Sequence, residues 1–144
     1  MLLGEFRSPA DGDGRLTIPS VFRAELVEGA TVTRGIEQCL LVYPAPEWEK
    51  LVEKIEERLP FTSQPARSFA RFIFSGAALC APDEGDQLLL PDQLRSYASI
   101  EDEAVVVGLL SHLEIWSPRR WQKVKSSFCK DGPALAEKLR EFEI

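Results

Sequence analysis

Arg15 is the residue whose type and position are best suited to chemistry, because it follows an Asp- and Gly-rich turn in the segment DGDGRLTIP at 11–19. The planar fork of an Arg guanidinium matches phosphate oxygens and the edge of a guanine base. The same side chain can instead pin its own turn through a salt bridge to Asp11 or Asp13. Such an exposed pair contributes only about 0–1 kcal/mol. The residue alone therefore leaves two roles open, a nucleic-acid contact and a turn brace.

A second version of this segment, DEGDQLLLP, occupies 83–91, which is 72 residues further along, and carries Gln87 in place of Arg15. Self-similarity of this kind indicates a tandem repeat. Matched pairs follow one another in the same order along both copies: Asp11 with Asp83, Pro19 with Pro91, Gly35 with Gly108, and Trp48 with Trp121.

Each copy is predicted to contain a strand, an Asp/Gly turn, a strand, a short helix, two strands and a longer helix. A further helix is predicted between the copies, from about Pro65 to Phe74, and the C-terminal segment DGPALAEKLREFEI is predicted to form one more short helix. Neither copy alone has enough strand area for a core, so we expect both to pack about a pseudo-twofold axis. The predicted organisation is a single domain over 1–144, with a first repeat at 5–47, a second repeat at 77–120 and an inter-repeat helix at 60–76.

The composition predicts a protein that is not an enzyme. The only histidine, His112, lies in a predicted strand, and Cys39 and Cys129 have no evident base beside them. Neither a phosphate-binding loop nor a paired-cysteine zinc motif is present, so no cofactor and no metal are expected. The formal net charge of −6 limits nucleic-acid binding to a local basic patch or to the surface of a multimer.

Four other arginines occupy informative positions. Arg23 and Arg95 are matched between the copies, which favours a structural role such as binding a carboxylate or a carbonyl at a helix end. Arg67 and Arg71 are four residues apart on the predicted inter-repeat helix and form a small basic face. We interpret that face as solvated, with a partner contact as the alternative.

The paired segments DGDGRLTIPSVFR and DEGDQLLLPDQLR, together with YPAPEWEKL, RFIFSGAA and LEIWSPRRW, resemble the MraZ family over about residues 1–125. The resemblance implies an α+β fold of the AbrB-like, swapped-hairpin class. In that class two tandem pseudo-twofold repeats interleave hairpins into one small β-barrel with flanking helices. It also implies self-association into a ring that presents DxxGR loops to direct repeats in double-stranded DNA upstream of its own operon.

Carried over residue by residue, the family motif is kept in the first copy and degenerate in the second. Asp13 stands where the family has a basic residue, and the second motif has lost its Gly and Arg. The resemblance implies that Arg15 is the main DNA contact, that Gly14 sets the turn, and that Arg7 is auxiliary. The implied DNA-binding residues are Arg15, Gly14, Arg7 and Asp11, and the degenerate second motif consists of Asp83, Asp86 and Gln87.

These observations predict a sequence-specific DNA-binding transcriptional regulator. The resemblance implies that it acts on the division and cell-wall gene cluster. The alternative is an AbrB-like oligomeric scaffold that has lost DNA binding and acts through protein–protein contacts. The start of the chain lacks a signal-peptide pattern, and no apolar run reaches the roughly 20 residues of a membrane span. We therefore expect a cytoplasmic, nucleoid-associated protein with neither a membrane partner nor a small-molecule substrate.

Overall fold

The part of the chain that the computed structural model describes, residues 1–143, contains eight β-strands and five α-helices. The strands are β1 (Leu2–Pro9), β2 (Arg15–Thr17), β3 (Ala30–Arg34), β4 (Leu40–Pro44), β5 (Ala78–Cys80), β6 (Gln87–Leu89), β7 (Glu103–Leu110) and β8 (Leu113–Trp116). The helices are α1 (Arg23–Leu26), α2 (Ala45–Arg58), α3 (Gln64–Ser75), α4 (Asp92–Ala98) and α5 (Pro118–Lys138), with single 3₁₀ turns at Ser20–Phe22 and Arg140–Phe142.

Six strands form one antiparallel sheet in the order β1-β7-β8-β4-β3-β5, and β2 and β6 form a separate two-stranded sheet. The mixed α+β class predicted from the sequence is confirmed. Within residues 1–143 the edge strands β1 and β5 do not pair with each other, so the sheet is open and the closed barrel expected from the resemblance is not observed.

Strands of the first copy pair with strands of the second. β1 lies along the whole of β7, from Leu2 opposite Leu110 to Pro9 opposite Glu103, and β2 pairs with β6. One core therefore draws apolar side chains from both copies. Its fully buried members include Leu16, Phe22, Leu40, Leu88, Leu94 and Ile115.

The helix predicted from about Pro65 to Phe74 is present as α3, which spans Gln64–Ser75. The Ser63 hydroxyl accepts a hydrogen bond from the N–H of Ala66 at 3.3 Å, which caps the first turn, and Pro65 lies in that turn, where its missing N–H has no cost. The Thr33 hydroxyl on β3 donates to the main-chain carbonyl of Ile73, which fixes α3 on the outer face of the sheet.

The prediction of a separate C-terminal helix is wrong, because α5 continues through Gly132 and Pro133 to Lys138. A side chain before proline clashes with the proline ring in helical backbone, and Gly132 has none. The first turns of α5 are fixed by the Ser117 hydroxyl, which accepts from the N–H of Arg120 at 3.3 Å. Among residues 1–143, no helix has the length and apolar character that crossing a membrane requires.

Candidate nucleic-acid interface

The first loop, residues 11–14, is closed by the carboxylate of Asp11. Its Oδ1 accepts from the main-chain N–H of Asp13 at 2.9 Å and from that of Arg15 at 3.0 Å. The hydrogen bond from Arg15, with smaller contributions from the Asp13 N–H and the charges of Arg15 and Arg95, holds the pKa of Asp11 below its ordinary value. Asp11 is therefore ionised at neutral pH and shapes the turn through the main chain.

Gly14 is required at its position by backbone geometry. Its φ is +93°, a conformation that side chains of L-residues rarely adopt, and a Cβ there would lie 2.6 Å from the carbonyl oxygen of Leu90. The Gly14 carbonyl accepts from the N–H of Leu90 at 2.7 Å. The first loop is thus fastened to the strand that follows the second loop.

The side chain of Arg15 is 45% exposed at the base of this turn. Its Nη1 lies 3.5 Å from Oδ2 of Asp13, which is itself largely exposed. The alternative in which the Arg15 side chain braces its own turn is limited to this Asp13 contact, because Asp11 holds the turn through main-chain N–H groups. The guanidinium keeps most of its hydrogen-bonding capacity for another partner.

Arg15 belongs to a small face shared by both copies. In the β2–β6 ladder Arg15 lies opposite Leu89 and Thr17 lies opposite Gln87, and these four side chains point away from the core. The residues between them, Leu16 and Leu88, are fully buried. Arg15 and Gln87 therefore occupy equivalent places on one surface, and only Arg15 carries a charge there.

The second loop, residues 83–86, has the same hydrogen-bonding pattern as the first loop but a different charge. Asp83 Oδ1 accepts from the N–H of Gly85 at 2.8 Å and from that of Gln87 at 3.0 Å. Asp86 has a φ of +60° at the place equivalent to Gly14. With Glu84, this loop carries three acids and no basic residue. Its charge disfavours a phosphate, while its fold still matches the first loop.

Each loop is braced by an arginine from the other copy. Arg95 on α4 donates to the carbonyl of Asp11 at 3.0 Å and to that of Gly12 at 3.2 Å. Arg23 on α1 donates to the carbonyl of Asp83 and, at 2.7 Å, to Oδ1 of Asp86. The structure thus agrees with the structural role expected for these two arginines. The sequence did not predict that each arginine binds the loop of the other copy. The only signal related to this arrangement was the 72-residue spacing between Arg23 and Arg95.

Arg7, the auxiliary candidate, lies on β1 and is paired. Its Nη1 donates to Oε1 of Glu103 on β7 at 2.5 Å. Arg7 and Glu103 are both substantially exposed, so the pair is a surface pair with compensated charge. Arg7 therefore adds less positive potential to this region than its sequence position implies.

Of the residues considered for catalysis, His112 and Cys39 are in packing environments, whereas Cys129 is exposed. His112 stacks on Tyr43 with 4.6 Å between ring centroids, and burial lowers the pKa of His112. Burial raises the pKa of the Cys39 thiol to about 12, and that of Cys80 to about 12. A thiol with a raised pKa is a poor nucleophile at neutral pH.

Comparison with known proteins gives matches along nearly the whole chain. The family model of the MraZ protein, described as antitoxin-like, matches residues 1–72 and again residues 73–140. The chain is 46% identical over 144 residues to the transcriptional regulator MraZ of Herpetosiphon aurantiacus, and the alignment covers 100% of both proteins. Proteins of the same name from Roseiflexus castenholzii and Moorella thermoacetica are each 43% identical, again with 100% of both chains covered.

Proposed function

The chain belongs to the MraZ family, and from that premise we propose that it is a transcriptional regulator that binds double-stranded DNA through its first loop. Arg15 is the principal contact, Gly14 and Asp11 hold the loop in shape, and Arg7 is auxiliary. The second loop, with Asp83, Asp86 and Gln87, keeps the fold of the motif and does not contact DNA productively.

The observation that carries this proposal is the presentation of Arg15. The side chain stands exposed on the shared β2–β6 face, its nearest acidic contact is at 3.5 Å, and its loop is held by Arg95. A well-placed Arg that donates two hydrogen bonds to guanine contributes about 1–3 kcal/mol of discrimination. A rigid loop lowers the entropy cost of making that contact.

The charge difference between the two loops supports a DNA contact by the first loop alone. DNA affinity depends on phosphate neutralisation, and each lost cationic contact lowers the salt dependence of binding by roughly one unit. The second loop has lost its cation and carries Asp83, Glu84 and Asp86. Of these, Asp86 is partly neutralised by Arg23 at 2.7 Å. One productive contact per subunit is therefore expected.

A single contact per subunit requires several subunits for tight binding. We propose self-association into a ring that engages direct repeats upstream of the protein's own operon, since linked sites raise avidity without new contacts. We also propose that the chain is one domain of two repeats, at 5–47 and 77–120, in the swapped-hairpin arrangement. The pairing of β1 with β7 and of β2 with β6 supports this arrangement. Nucleoid association in the cytoplasm follows from DNA binding.

The experiment is a fluorescence-anisotropy titration of labelled DNA from upstream of the protein's own gene, at several salt concentrations between about 50 and 200 mM. A shuffled sequence of the same length and composition is the control. We expect binding at least about tenfold tighter to the upstream DNA, with affinity falling steeply as salt rises. Equal binding to both sequences, or no binding at the lowest salt, would instead favour the oligomeric scaffold that acts through protein contacts.

A further inference from the structure

Leu89 is an apolar side chain on the solvent-facing side of the two-stranded β2–β6 sheet. The run LLL at 88–90 is apolar throughout, although successive residues of a strand point to opposite faces. Leu88 and Leu90 are buried, whereas Leu89 is 58% exposed. In the first copy the place of Leu89 is taken by Thr17, a polar residue of the kind expected on a solvated face. Leu89 therefore contributes little to the core and breaks the polar pattern of this face.

The cross-strand neighbour of Leu89 distinguishes it from other exposed leucines, which are common singly on protein surfaces. Leu89 lies directly opposite Arg15 in the ladder between β2 and β6. Side chains at opposed positions of an antiparallel pair share a face, with Cβ atoms about 4.5–5.5 Å apart. Among residues 1–143 the second sheet contains β2 and β6 alone. Arg15 and Leu89 thus project side by side from one face of a narrow, two-stranded ribbon.

The two ends of this ribbon differ in charge. Because β2 and β6 are antiparallel, Arg15 and Leu89 stand at the end next to the first loop, and Thr17 and Gln87 stand at the end next to the second loop. Gln87 donates from Nε2 to the hydroxyl oxygen of Thr17 at 3.5 Å. The three acids of the second loop adjoin that end. Leu89 is therefore placed beside the cation of the ribbon and at the end away from those acids.

The width and chemistry of the ribbon fit the major groove of DNA. That groove is about 12 Å wide and admits a two-stranded β-ribbon. The base edges exposed there include one apolar group, the C5-methyl of thymine, which apolar side chains contact. Successive base pairs are about 3.4 Å apart, so two side chains with Cβ atoms about 5 Å apart reach neighbouring base pairs. Arg15 beside Leu89 is therefore suited to a guanine beside a thymine.

We propose that Leu89 packs against the methyl group of a thymine in the base pair next to the guanine bound by Arg15. This inference rests on the proposed function, and it adds a specificity-determining residue from the second copy to a contact made by the first. Each subunit then reads a step of two base pairs, with the polar contact from β2 and the apolar contact from β6. The second copy thus contributes to sequence readout through its strand, although its loop carries no cation.

The test removes the thymine methyl and the leucine side chain separately and together. In the upstream DNA, thymine is replaced by uracil, which lacks only the C5-methyl, at one position of the repeat at a time, and anisotropy titrations are made with the wild type and with Leu89→Ala. We expect uracil at one position next to a guanine to weaken wild-type binding by at least about threefold, as for loss of a buried methyl contact. The same replacement is expected to leave binding by Leu89→Ala nearly unchanged. Leu139→Ala, which alters a leucine of similar exposure (45%) outside the ribbon, is the matched control and should respond to uracil like the wild type.

The coupling between the two changes separates a base contact from a structural role of Leu89. A leucine that only supports the Arg15 side chain lowers affinity for thymine and uracil DNA equally, and that result overturns the inference. Wild-type binding that is insensitive to uracil at every position also overturns it, as does light scattering that shows a smaller assembly for Leu89→Ala than for the wild type. In these three cases, tight binding of upstream DNA by the wild type leaves the proposed function intact. Failure of the wild type to prefer upstream DNA over the shuffled sequence overturns the proposed function, and the inference with it.

Discussion

Arg95 of the second repeat donates from Nη2 to the main-chain carbonyl of Asp11 in the first repeat, at 3.0 Å. A second bond from Nη1 reaches the carbonyl of Gly12 at 3.2 Å. The conformation of the loop that presents Arg15 therefore depends on a side chain 84 residues away along the chain. The second copy, whose own loop carries no cation, therefore still holds the loop of the first copy in place.

Removing this brace is expected to affect both stability and DNA binding. Arg95→Ala loses hydrogen bonds from a charged donor whose side chain is only 15% exposed, so the free energy of unfolding should fall by about 1–3 kcal/mol. Anisotropy titration with upstream DNA should show weaker binding, because the first loop loses its support. Arg23→Ala removes the equivalent brace of the second loop and is expected to leave DNA affinity nearly unchanged. An Arg95→Ala protein that binds DNA as tightly as the wild type would contradict the bracing role.

The two glycines of the first loop are expected to respond differently to alanine. Gly14→Ala places a Cβ 2.6 Å from the carbonyl oxygen of Leu90 at a φ of +93°, so urea unfolding should show a loss of about 2 kcal/mol or more. Gly12→Ala meets nothing within 4 Å and should change the free energy of unfolding by less than about 0.5 kcal/mol. Equal stability of the two variants would show that the loop is not held in this conformation.

Restoring the second motif is expected to strengthen DNA binding. Asp86 has a φ of +60°, which glycine adopts more readily, so the combination of Asp86→Gly with Gln87→Arg fits the backbone. The change removes an acid and adds a cation beside the surface that we propose faces DNA. Titrations at several salt concentrations should give tighter binding and a salt dependence steeper by roughly one unit per subunit bound. Asp86→Gly alone is the control for loss of the acid. An unchanged salt dependence in the combined variant would mean that the second loop does not face DNA.

His112 is expected to make stability depend on pH below neutrality. Burial holds its pKa below 6.5 despite the opposing charge of Glu47, so the unfolded chain binds the proton more tightly. Its contribution to stability is complete above about pH 6.5 and is lost as the pH falls through the lower folded pKa. His112→Phe keeps a ring to stack on Tyr43 and removes the titration. Urea unfolding between about pH 5 and pH 7.5 should show a smaller increase in unfolding free energy with pH for the variant. Identical pH profiles would place His112 in solvent.

Local and repetitive features of this chain were predictable, because their causes are close together in the sequence. The Asp/Gly turns follow from Asp11 and Asp83, which bind N–H groups two and four residues ahead. The start of α3 follows from Ser63 and Pro65. In each case the interacting groups lie within one turn of chain.

The features that escaped prediction depend on contacts between distant segments. Arg7 is paired with Glu103, 96 residues away, and neither residue signals its partner in the sequence. The strand order of the open six-stranded sheet depends on which strands of the two copies pair with each other. The sequence does not specify those pairs. The continuation of α5 past Pro133 depends on Gly132, a residue that by itself predicts a helix end.

The measurement that tests the central claim most directly compares Arg15→Ala with Gln87→Ala in titrations of the upstream DNA. The two substitutions remove side chains from equivalent places on the β2–β6 face, and only the first removes a cation. Arg15→Ala should lower affinity by at least about tenfold and reduce the salt dependence, since one good Arg contact contributes about 1–3 kcal/mol and a multimer multiplies the loss. Gln87→Ala should bind within about twofold of the wild type, as expected for a surface side chain without charge. Undiminished affinity in Arg15→Ala would contradict the account, and Arg15 would then be a surface partner of Asp13.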